Sequence, residues 1–189
     1  LGIYNATFTL TSDQVALDAN PADNVRLRNF EVTQDIYSVD AIGNYPEGVE
    51  ELAQTGTASF EDNAEGVKLM NMFIIRTPME ATGLQIALGS GTVVGPGASI
   101  KISMLDTAAI FADLTLVTST TVNNFVDGIE SDWYNITPAD VAAGVVTIEF
   151  PSPVSLSVNA YYAVATIRGN GTTDVGTDAE VFILDDNTV

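Results

Sequence analysis

Ser99-Ile100-Lys101-Ile102-Ser103-Met104 places an apolar side chain at every second position, and Gly83-Leu84-Gln85-Ile86-Ala87-Leu88 does the same. In a strand, successive side chains point to opposite faces, so this spacing describes a ribbon with one oily and one wetted face. Val146, Ile148 and Phe150 repeat the pattern against Val145, Thr147 and Glu149, and Tyr4, Ala6, Phe8 and Leu10 repeat it near the N-terminus. A sustained 3.6-residue period is almost absent. The expectation is an all-β chain: an antiparallel β-sandwich, jelly-roll-like, of about 8–10 strands.

Two further stretches are apolar on both faces, Leu69 to Ile75 and Ala160 to Ile167, and are expected as central strands. Asn20-Pro21, Gly43-Asn44, Gly89 to Gly97, Asp127-Gly128 and Gly169 to Gly171 supply turns between the runs. One short helical turn is expected at Thr137-Pro138-Ala139-Asp140, with Thr137 as N-cap, Pro138 at the first helical position and Asp140 three residues after the cap. Gly144 would end it, and Ile136 with Val141 would close over its start. The domain reading is a first segment, residues 1–29, with a strand and a linker, followed by the sandwich over 30–189.

Composition excludes more chemistry than any motif proposes. The chain has 189 residues, no His, no Cys, and six Lys and Arg against twenty-five Asp and Glu, for a formal net charge of −19 at pH 7. Histidine-based triads, thiolate nucleophiles and histidine- or thiolate-ligated metals are therefore out of reach. Repulsion of phosphate excludes nucleic acid as a partner. No run of about 18 apolar residues is present, so no insertion into a membrane is expected. Leu1 is neither an initiator Met nor the start of a leader, and the chain reads as a processed or trimmed segment.

Several segments carry a family resemblance. They are Phe30 to Asp40, the Phe60-Glu61-Asp62-Asn63 turn before the Val67 to Ile75 strand, and Gly97-Ala98-Ser99-Ile100. Ile136 to Asp140, Phe150-Pro151-Ser152-Pro153-Val154 and Ala160-Tyr161-Tyr162-Ala163-Val164 continue the series. In this order the chain resembles β-sandwich modules of large secreted Bacteroidota proteins, many of which leave the cell by type IX secretion. The resemblance implies a jelly-roll-like sandwich at an extracellular or cell-surface location. It brings no catalytic residues.

Three groups of residues are candidates for function. Ile3, Tyr4, Ala6, Phe8 and Leu10 form a strand that could join its own domain or add to a neighbour's sheet, linking copies or adjoining modules of a larger surface protein. Trp133 and Tyr134, in a polar context beside Asp132 and Asn135, and Tyr45 in the Gly43 to Pro46 loop, could stack on sugar rings. The alternative for Trp133 is a cap on the core with its N–H satisfied locally. Asp62 and Glu65, with Asp40, could hold calcium, the one cofactor the acidity suits. An EF-hand is excluded, because Met72 stands where the twelfth loop position requires Glu. Glycoside hydrolysis needs two carboxylates set across a cleft, and no motif marks such a pair. The expectation is a non-enzymatic structural or adhesive module, with carbohydrate binding as the alternative.

Overall fold

The computed structural model describes residues 1–11, 17–38, 52–57, 66–106, 129–170 and 179–186. The chain divides into two compact units, Leu1–Ala53 with Asp186–Val189, and Gln54–Asp185.

The first unit contains an antiparallel ribbon of β1 (Gly2–Thr9) and β2 (Val25–Val32), in register from Gly2 opposite Val32 to Thr9 opposite Val25. The Leu10 amide extends the ladder by donating to the Asn24 carbonyl at 2.8 Å. A 3-10 turn at Pro21–Asn24 leads into β2, with proline where no amide donor is needed. Asp18 braces the approach: its carboxylate accepts from the Asn20 amide at 2.9 Å and from the Asn24 side chain. Those two bonds, the Asn20 amide first, hold the Asp18 carboxyl below its ordinary range.

The second unit is an antiparallel β-sandwich. One sheet runs β4 (Val67–Ile75), β10 (Asn159–Arg168), β6 (Ser99–Asp106) and β7 (Ile129–Glu130), with β8 (Tyr134–Asn135) also on β6. Facing it, β5 (Met79–Ala87) pairs with β9 (Val145–Leu156), and β3 (Leu52–Gly56) pairs with β11 (Phe182–Asp186). A Leu88–Ile183 bridge joins these two pairs edge to edge. The alternating residues meet between the sheets: Ile100, Ile102 and Ile167 are fully buried, packed with Ile86, Val146, Ile148 and Phe150. Each such side chain contributes about 1.5–3 kcal/mol relative to exposure.

Among the described residues β10 is a central strand, as expected of an apolar run, but β4 lies at the end of its sheet. Its outward residues Met70, Met72 and Ile74 are exposed. Apolar content on both faces therefore marked an interior position for β10 and not for β4.

Pairing of β5 with β9 slips between Ala81 and Gly83, where Ala81 faces Val154 and Gly83 faces Glu149. The residues passed over on β9 include Pro151 and Pro153, which have no amide to give to a ladder. At Gly83 a Cβ would lie 2.3 Å from the Ile148 carbonyl oxygen, so glycine permits the strands to approach there. The expected helical turn is α1 (Pro138–Ala143). Thr137 and Asp140 form a reciprocal capping box, and Gly144 closes the helix in the left-handed conformation with φ 68°. Ile136 is buried and Val141 packs on the same core. Among the described residues no helix is long and apolar enough to cross a membrane.

Candidate functional site

The segment leading to Trp133 is anchored by a buried serine. The Ser131 amide donates to the Ile102 carbonyl at 2.9 Å, and the Ser131 hydroxyl accepts from the Ile102 amide at 3.0 Å. The hydroxyl in turn donates to the Asp132 carbonyl at 2.8 Å. Two residues further on, β8 holds Tyr134 opposite Ile100. The Tyr134 phenol donates to the Asp140 carboxylate at 3.0 Å. Trp133 is thus fixed at both sides by backbone pairing to β6.

The half-buried indole rests on cations. Arg168 Cζ stands 4.0 Å from the ring centroid and Lys101 Nζ 5.5 Å from it. Both cations belong to one sheet face, because Lys101 pairs with Thr166 and Arg168 pairs with Ser99, while Ile100 and Ile102 point to the core. Lys101 is also tied to Glu130 at 2.6 Å. Arg168 Nε is buried without a hydrogen-bond partner among the described residues, and the guanidinium lies against the ring face, a contact worth about 0.5–2 kcal/mol. Trp133 also lines an open groove of about 410 Å³. Asp132, Tyr134, Glu149 and Pro151 share its walls, and the carboxylate-bearing residues Asp132 and Glu149 are exposed.

Partial burial first, then the bond to Asp140, hold the Tyr134 phenol above its ordinary 10.0. Burial pushes the Asp140 carboxyl upward, but hydrogen bonds from the Thr137 hydroxyl and amide and from Tyr134 outweigh it. The net position is below the ordinary 3.8. Tyr134 is thus both a wall of the groove and a brace for the helix cap. Tyr45, the third aromatic candidate, lies outside the described residues.

The ribbon is the second candidate surface. Partners across an antiparallel register share a face, which groups Tyr4, Ala6 and Phe8 of β1 with Arg26 of β2, the partner of Phe8. Ile3, Asn5 and Thr7 lie on the other face with Leu27, the partner of Thr7. Phe8 is 62% exposed, and Ile3, Tyr4 and Leu10 are exposed as well. Arg26 therefore shares a face with the exposed aromatic Phe8 directly opposite it.

The acidic candidates Asp40, Asp62 and Glu65 lie outside the described residues. Glu180 is buried and bridges Val93 through its backbone, with 2.9 Å bonds in both directions. Among the described residues no three carboxylates gather as a metal-binding group. Sequence reasoning singled out Trp133 but missed Lys101 and Arg168, which strand register, reported by no local motif, brings beside it, and the anchoring role of Ser131, whose partner Ile102 lies on another strand. Comparison with protein-family models, with curated proteins and with solved structures returns no match.

Proposed function

We propose that this chain is a non-enzymatic, extracellular β-sandwich module that serves as a structural or adhesive unit of a surface protein or filament. Copies join when the aromatic and arginine face of one ribbon settles on the carboxylate-rich surface of the next. The carrying observation is the ribbon face on which Phe8 and Arg26 stand opposite each other beside Tyr4 and Ala6.

Two physical arguments support this reading. A two-stranded ribbon is marginal in water when neither face is covered, and exposed aromatics such as Phe8 recover hydrophobic free energy only against another surface. Charge selects that surface: a face carrying Arg26 complements a chain of net charge −19. A patch of one copy meeting a different patch of the next is a head-to-tail contact, which closes into rings or continues as a filament. The extracellular setting is what the resemblance read from the sequence implies.

Sedimentation and negative-stain microscopy of the full chain test the reading. Ordered assemblies are expected in dilute salt, loosening as salt screens the arginine contacts. Deleting residues 1–10 should leave single particles. A wild-type chain that stays monomeric at every concentration and ionic strength would overturn it.

A further inference from the structure

Beyond assembly, we infer that the groove beside Trp133 is a binding site for a neutral polysaccharide chain, stacked on the indole face that Arg168 does not hold. Stacking on a sugar requires a flat ring that is held still, open to solvent and edged by hydrogen-bonding groups. Each requirement has a named counterpart here. The ring is clamped by Arg168 at 4.0 Å and Lys101 at 5.5 Å. Its segment is pinned by Ser131 on one side and by Tyr134 on the other. The groove, of about 410 Å³, is open rather than enclosed, which suits a section of an extended chain better than a small molecule held on all sides.

The edges select the sugar class. Asp132 and Glu149 are exposed residues of the groove wall, and carboxylates are acceptors only, matched to the hydroxyl donors of a neutral glycan. They repel uronates and sulfated sugars. The nearby cations do not reverse that preference: Glu130 neutralises Lys101 at 2.6 Å, and Arg168 presents its charge to the indole. A clamped ring also loses little freedom when a ligand stacks on it, which favours binding through preorganisation.

Trp133 is the only tryptophan, so its fluorescence reports on the site directly. The full chain is titrated with cellohexaose, mannohexaose, xylohexaose and maltohexaose, with a galacturonate hexamer as acidic comparator, and heats are measured in parallel. A saturable emission change and measurable heat are expected with at least one neutral hexamer and not with galacturonate. Trp133→Ala should weaken binding about tenfold or more, as truncation of an aromatic anchor does. Trp133→Phe, which retains a stacking face, should recover part of the loss. Glu149→Gln should weaken binding several-fold without altering the unliganded spectrum. Silence across the neutral set, unchanged heats in both Trp133 variants, or tighter binding of galacturonate than of any neutral hexamer would each overturn the inference. None of these outcomes bears on self-association, which is read by sedimentation.

Discussion

β1 and β6 carry the same pattern and meet different ends. Tyr4, Ala6 and Phe8 alternate as regularly as Ile100, Ile102 and Met104, yet Phe8 is 62% exposed while Ile100 and Ile102 are fully buried. β6 lies between β10 and the short β7 and β8 strands and faces β9 across the core, whereas among the described residues β1 pairs with β2 alone. Alternation thus specifies that a strand has an apolar face. It does not specify whether that face is covered by the strand's own chain or by another molecule.

Paired truncations separate these two cases. Ile102→Ala should lower stability by about 2–5 kcal/mol, from lost transfer free energy plus the cavity left in a close-packed core. Phe8→Ala should change the unfolding free energy of dilute, monomeric protein by less than about 0.5 kcal/mol, as exposed substitutions do, while weakening assembly. Chemical denaturation of both variants, with sedimentation of the second, checks the pair. A large loss of monomer stability in Phe8→Ala would show that the ribbon is a stabilising part of a single chain and would remove the contrast.

Ser131→Ala gives the next largest effect and probes the sandwich where it supports the groove. The substitution leaves the Ile102 amide without the acceptor it now has at 3.0 Å, inside a region where Ser131 itself is buried. An unsatisfied buried donor costs about 1–3 kcal/mol. Because the same serine anchors the segment carrying Trp133, the variant should also shift Trp133 emission before any unfolding. Lost stability with an unchanged spectrum would separate Ser131 from the placement of the ring.

Much of the sandwich was legible because its signals are local. Period two marks β5, β6 and β9, and Thr137, Asp140 and Gly144 mark both ends of α1. The edge position of β4 was not legible, since apolar residues on both faces describe its composition and not its place in the sheet. At the groove, Trp133 was conspicuous as a lone indole in a polar stretch. Glu149 read as one solvated position among several, and Tyr134 read as a sugar platform although its hydroxyl is committed to Asp140. Lys101 and Arg168 stand on strands far from Trp133 in sequence, so their contact with it follows only from the β6–β10 register.

The smallest expected effect concerns Asp140, where the helix cap and the groove wall share one carboxylate. Its oxygen Oδ2 accepts from the Thr137 amide at 2.8 Å, the Thr137 hydroxyl at 2.6 Å and the Tyr134 hydroxyl at 3.0 Å. These bonds favour the ionised form and hold the carboxyl below its ordinary 3.8 in the folded chain. A group whose folded value is lowered stabilises the fold above its unfolded value, and that contribution is lost as pH falls through the folded value. Asp140→Asn should therefore lower stability at neutral pH by about 0.5–1 kcal/mol, in the range of a lost cap, or about 1–4 °C in Tm for a chain of this size. Below pH 3.8 the gap between the melting curves should narrow, as the wild-type carboxylate protonates and loses the same advantage. A gap that stayed constant from pH 7 to pH 2 would mean that the cap depends on the shape of the Asp140 side chain and not on its charge. In that case the sandwich would hold its groove wall by hydrogen-bond geometry alone.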